Sequence, residues 1–204
     1  MASPKTLTAL TLLLLGCPSG GGQYLRTGFR PPASLAVLPF DNHATDLDGP
    51  VVARFWLDQR LTELKGYKTL PLDEVDAALN RLGVTDGGQL RALPPGRACS
   101  ALGTEAVVTG DLLEFGTKTT GFLNVRQVSA RFEMTDCRTG ERLWSAEGHG
   151  ASSTAATSAS GAMRAGLKSL ASRFAEKAMG NPLREQTLDM VWNAVEFLPP
   201  AWSR

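Results

Sequence analysis

The sequence predicts a single α/β domain on a mixed, about five-stranded sheet packed by helices, in the order β-α-β-α-α-β-β-β-α, with a C-terminal helical extension. Three observations carry this expectation. An apolar run at Ser34–Phe40 opens an alternation of strand-like and helical patterns. Three strand-like segments then follow one another between Glu105 and Gly150. After them, Met163, Leu167, Leu170, Phe174 and Ala178 repeat at helical spacing.

The first strand, "SLAVLPF", is a short buried run closed by the turn formers of "DNHATDLDGP". Asp48-Gly49-Pro50 is expected to cap a helix with Pro in its first turn. Its apolar stripe is Ala53, Leu57, Leu61 and Leu64, with Phe55 and Trp56 beside it and Gly66 at its end. "YKTLPL" reads as a second strand, and Leu72, Val75, Leu79 and Leu82 form a second helical stripe ended by Gly83. Strand, helix and strand in this order argue for a right-handed crossover. Thr85–Leu93 and Pro94–Gly103 read as two small helices.

The period then changes. "EAVVTGDLLEFGTK", "NVRQVSARFEMTDC" and "ERLWSAEGHG" read as successive strands, the middle one mostly alternating Val125, Val128, Ala130, Phe132 and Met134 with polar residues. Thr139-Gly140 supplies the positive φ of a tight hairpin, and the hairpin near "TKTTGF" is expected to be short. "ASSTAATSASG" is a small-residue stretch, read as a mobile loop or the approach to the helix at Met163–Ala178, which Gly180-Asn181-Pro182 stops. A last amphipathic segment, Leu183–Phe197, carries Leu188, Val191, Trp192 and Val195. It covers the flank of the domain on one reading; on the other, Trp192, Phe197 and Trp202 anchor a partner.

The N-terminus has the form of an export signal. Lys5 precedes an uncharged, leucine-rich run at Thr6–Leu15, too short for the ~20 residues of a spanning helix. Leu14-Leu15-Gly16-Cys17 resembles the lipobox of bacterial lipoproteins, which are cleaved before the cysteine and acylated on it. The resemblance implies that residues 1–16 are a signal peptide and Cys17 the lipid attachment residue; the alternative is a conventional signal with an incidental cysteine near its end. Residues 17–33 are expected to form a flexible tether, because Pro18–Pro32 is rich in Gly and Pro and shows no strand or helix period. The domain proper is expected at 34–180 and the extension at 181–204.

With 21 Lys+Arg against 20 Asp+Glu the net charge is +1, which gives no general attraction to nucleic acid. Cys99 and Cys137 remain besides Cys17. In an oxidising periplasm they could form a disulfide, but the favoured reading is two separate small apolar residues. Their number suits no metal site.

Motifs for chemistry are scarce. No Gly-x-Ser-x-Gly, His-Glu-x-x-His or phosphate-binding glycine loop occurs, and "DGGQ" at Asp86–Gln89 reads as a turn. His43 and His149 are expected to be solvated. Asp41, Asp46 and Asp48 do not match the spacing of a calcium loop, and Asp48 is the expected cap. No catalytic residue, metal or cofactor is assigned.

Three segments, "LAVLPFDN", "LGTEAVVTGDL" and "TDCRTGERLWSAEG", resemble the strand motifs of the curli-secretion lipoprotein CsgG and the N-terminal domain of TolB. "PLDEVDAALNRLGVTDGGQLRALPP" resembles small envelope lipoproteins of the domain-of-unknown-function 799 type. The resemblance implies an α/β fold with a five-stranded mixed sheet and a binding role in envelope assembly or export. It does not reach beyond Asn181, and Gly116–Asn124 is too short and polar for the membrane-inserted hairpins of the curli channel. The expected function is therefore that of a non-catalytic lipoprotein, lipid-anchored at the periplasmic face of the outer membrane and binding envelope proteins or itself. The alternative is a periplasmic hydrolase of cell-wall material acting through acidic residues near Asp41, His43 or His149.

Overall fold

Alternation along the first buried strand sets up the architecture. Leu35 and Val37 point into one core, while Ala36 and Leu38 point into a second on the opposite side of the sheet. These residues belong to a computed structural model that describes residues 22–93, 96–120, 123–155 and 183–203. The expected signal peptide, Cys17 and the expected helix at Met163–Ala178 lie outside the described residues.

Six strands form one mixed sheet: β1 (Tyr24–Leu25), β2 (Leu35–Val37), β3 (Asp41–Asn42), β4 (Ala106–Thr120), β5 (Leu123–Asp136) and β6 (Arg142–Ala155). Their order is β1-β6-β5-β4-β2, with β3 also on β4. β2 and β3 run parallel to β4, and the other pairs are antiparallel. Helices α1 (Gly49–Glu63), α2 (Leu72–Asn80), α3 (Gly87–Leu90), α4 (Arg97–Leu102) and α5 (Arg184–Val195) accompany the sheet. The α/β class and mixed sheet are those the sequence predicts.

The larger core lies where α1 and α5 cover one face. Ala53, Leu57 and Leu61 from α1 and Met190, Val191, Ala194 and Val195 from α5 meet Val108, Leu112, Ala130, Phe132 and Met134. On the other face, Val75, Ala78 and Leu79 of α2 and Leu102 of α4 pack on Ala36, Leu38 and Val107. Among the described residues, no helix is long and apolar enough to cross a membrane.

Several local expectations are corrected. Pro18–Pro32 is not wholly a tether: Tyr24 and Leu25 pair with Ser145 and Trp144, and Pro31 and Pro32 are buried. A two-residue strand has no period to read. "YKTLPL" is no full strand; Lys68 and Leu70 bond only to Leu35, through a bridge at Thr69. Asp48 makes no side-chain cap on α1. Asp46 Oδ1 takes that role, accepting the N–H groups of Asp48 and Gly49 at 2.9 Å each. "DGGQ" opens α3, with Asp86 accepting the Gln89 N–H.

The hairpin near "TKTTGF" is long rather than short. β4 and β5 stay paired from Ala106↔Asp136 out to Thr120↔Leu123. Ala151–Ala155, expected in a loop or helix approach, extends β6 along β5. Small residues allow this extension, since extended backbone needs no large side chain when a neighbouring strand supplies the hydrogen bonds. Finally, α5 is no appendage. Its buried face belongs to the main core, and glycines at 148 and 150 leave room for its backbone against β6.

Candidate functional site

Parallel pairing of β3 with β4 brings two acids together, because Asp41 and Asp111 are register partners. The Leu112 carbonyl holds the next turn by accepting the His43 N–H at 2.9 Å. Gly87 lets α3 close on the strand, since a Cβ there would overlap the backbone of Phe40 and Asp41. The approach of α3 delivers Arg91 from its C-terminal end. The Arg91 guanidinium reaches Asp41 Oδ2 at 2.7 Å, Asp111 Oδ1 at 3.2 Å and His43 Nε2 at 3.3 Å. His43 Nε2 also stands 3.4 Å from Asp41 Oδ2.

This group borders a cavity of about 300 Å³ lined by Pro39, Leu90, Thr109 and Gly110. Asp41, His43 and Asp111 offer ligand atoms within 4.8 Å of one another. Arg91, however, already engages both carboxylates, its one positive charge offsetting one of their two negative charges, so the residues present form a partly compensated ion cluster. Of the sequence's candidate acids, Asp41 belongs to it, while Asp46 is engaged at the start of α1. His149 stands on β6 beside Glu147, at 3.3 Å, rather than in the cluster. Asp111 and Arg91 were not singled out from sequence. The usable signal was a lone acid within the apolar "AVVTGDLL".

A second surface forms at the C-terminus. Trp192, Phe197 and Trp202 are 50%, 69% and 67% exposed. The segment carrying Phe197 and Trp202 is fixed to the end of α1: Ala201 N donates to Lys65 O at 2.7 Å, Tyr67 Oη to Pro199 O at 2.7 Å and Lys65 Nζ to Glu196 O at 3.0 Å. Burial raises the pKa of Tyr67, keeping its hydroxyl a donor. Burial also lowers that of Lys65, opposed by the charge of Glu196. Trp202 lies against Gly66, whose φ is +69°. These aromatics are therefore displayed on a braced segment.

The sequence favoured unpaired Cys99 and Cys137, but the structure joins them, with Cα atoms 5.5 Å apart. Sequence separation hid the pairing: the β4–β5 hairpin returns Cys137 beside α4. The disulfide borders a cavity of about 1270 Å³, walled by Arg26, Gly28–Ala33, Glu105 and Arg138.

Comparison with known families bears on this arrangement. A model of GNA1162-like lipoproteins matches residues 25–185. The chain belongs to the GNA1162-like lipoprotein family. The match begins in β1 and stops at the start of α5, so most of α5 and the segment carrying Phe197 and Trp202 lie outside it. A curated relative, lipoprotein NMB1124/NMB1162 of Neisseria meningitidis serogroup B (strain ATCC BAA-335 / MC58), is 30% identical over 114 residues. That alignment covers 56% of this chain and 53% of the relative, so the chain spans about half the length of the curated relative it matches. The crystal structure of lipoprotein GNA1162 from Neisseria meningitidis shares 25% identity at a TM-score of 0.55, over 71% of this chain and 99% of that one. The C-terminal domain of LpoB from Salmonella enterica is more distant, with 14% identity and a TM-score of 0.43 over 60% of this chain and 84% of that one.

Proposed function

We propose that this GNA1162-like lipoprotein is a non-catalytic binding component of the cell envelope, acylated on Cys17 and carried on the periplasmic face of the outer membrane. One observation carries the binding role: Phe197 and Trp202 are held exposed on a segment braced by three hydrogen bonds to the end of α1. Large aromatic side chains fixed in water carry an unfavourable hydration cost that a protein partner would remove, and such residues dominate interface energetics. Trp192 stands apart from them on α5, which ends at Val195 before the segment that carries Phe197 and Trp202. The resemblance of the strand motifs to CsgG, to the TolB N-terminal domain and to the domain-of-unknown-function 799 lipoproteins supports an assembly or export system as the setting.

Photoreactive residues at positions 197 and 202 of the full-length protein, expressed in its own envelope, test this reading. A discrete protein adduct from either position supports it. Absence of protein adducts from both counts against the partner surface. Mass analysis of the mature N-terminal peptide separately tests acylation at Cys17.

The register pairing of Asp41 with Asp111 beside His43 favours a second reading, hydrolysis of cell-wall material by an acid–base pair. Arg91 weighs against it by engaging both carboxylates. Turnover of peptidoglycan fragments by the wild type and its loss in Asp41→Asn and Asp111→Asn would establish that reading.

A further inference from the structure

The distance between the lipid and the fold is much shorter than the composition of residues 17–33 suggests. β1 fixes Tyr24 and Leu25 to β6, and Gln23 Nε2 donates to the Asn193 carbonyl of α5 at 3.1 Å. Resting on acylation at Cys17, the chain between the lipid and the first anchored side chain therefore runs only from Cys17 to Gln23. Six residue steps span at most about 22 Å even when fully extended. The side of the domain where the chain enters must stay within that distance of the acyl chains.

That side has a composition suited to the place. Tyr24 and Leu25 are 45% and 41% exposed on the sheet edge, and Trp192 is 50% exposed on α5, one residue before the Asn193 that receives Gln23. The Arg142 guanidinium stands 5.6 Å from the centre of the Tyr24 ring. Arg142 pairs with Glu133 at 3.0 Å and Arg26 with Glu141 at 2.9 Å, so neither arginine gives the edge an unbalanced positive charge. Tyr and Trp combine an apolar ring with a polar tip, the property that places them at membrane–water interfaces.

We infer that the edge formed by Tyr24, Leu25 and Trp192 rests in the phospholipid headgroup layer, so that the anchor fixes the orientation of the domain as well as its location. Contact is made by aromatic and apolar side chains rather than by net charge. Trp192 thereby faces lipid, leaving Phe197 and Trp202 for a protein partner. The β4–β5 end points elsewhere: Thr119 pairs with Asn124 of β5, which in turn pairs with Thr154, nine residues along β6 from the partner of Tyr24, or about 30 Å.

The test uses the full-length lipoprotein reconstituted into vesicles of phosphatidylethanolamine and phosphatidylglycerol, with a photoreactive residue at 24, 192 or 119. Acylation is checked by mass on the same samples. Phospholipid adducts at 24 and 192, with loss of the adduct at 119, are expected, and they should persist when phosphatidylglycerol is omitted. An acylated protein that gives no lipid adduct at 24 and 192, or an equal yield at 119, overturns this inference and leaves the anchoring intact. A mature chain without acyl groups overturns both.

Discussion

Gly150 lies directly beneath the backbone carbonyl of Gln186, so that a Cβ at position 150 would overlap the oxygen. Gly148 stands in the same relation to Met190. Two glycines on alternate positions of β6 thus form the seat for α5, with Gln186 Nε2 to Ser152 Oγ and Asn193 Nδ2 to His149 O holding it in register. Gly150→Ala and Gly148→Ala should each destabilise the fold by about 1–3 kcal/mol through overpacking. Urea denaturation measures this. An alanine at either site without cost would mean that α5 is not seated as described.

The Cys99–Cys137 bond closes a separation of 38 residues between α4 and the β5–β6 hairpin. Loop-closure entropy for that length gives about 3–4 kcal/mol of stabilisation. Replacing both cysteines by alanine should lower the denaturation midpoint accordingly, and reducing agent should lower that of the wild type but not of the double variant.

Two carboxyl groups shift in opposite directions and make opposite contributions with pH. Burial pushes Asp58 up, outweighing its hydrogen bond from Thr69 and the charge of Arg54. Its raised folded pKa means that stability is lost as pH rises through that value, so Asp58→Asn should improve relative to wild type from pH 3 to pH 7. At Asp136, burial also pushes upward, but the N–H groups of Thr139 and Arg138 hold the carboxyl below its usual range. That contribution is present above the unfolded pKa and is lost as pH falls through the folded value. Asp136→Asn should therefore cost stability at pH 7 and little in strong acid, as stability curves across pH would show.

Arg54 is nearly buried and ties α1 to both neighbours, donating from Nε to Val37 O at 3.0 Å and from Nη1 to Asp76 at 2.7 Å. Arg54→Ala leaves the Val37 carbonyl without that donor and should cost about 2–3 kcal/mol. Arg91→Ala removes a much more exposed ion pair and should cost no more than about 1 kcal/mol. Chemical denaturation of the two variants side by side checks the ranking.

Helical stripes such as Ala53, Leu57 and Leu61, and the turn at Thr139-Gly140, were legible because period and positive φ are properties of neighbouring residues. What escaped was set by distant ones. Tyr24 becomes a strand residue only because Ser145 lies beside it, and Gly148 and Gly150 matter only because α5 returns there. The candidate site was half legible: Asp41 and His43 stood out together, whereas Asp111 and Arg91 join them through sheet register and the close approach of α3. The exposed aromatics could be named from sequence, but the hydrogen bonds that brace Phe197 and Trp202 could not.

The native mass of the full-length protein, extracted from its own membranes in mild detergent, tests the central claim most directly. The binding reading expects a discrete assembly heavier than the acylated monomer that begins at Cys17, reduced to that monomer by Phe197→Ser with Trp202→Ser. A wild-type protein recovered in full yield as a lone monomer would contradict it.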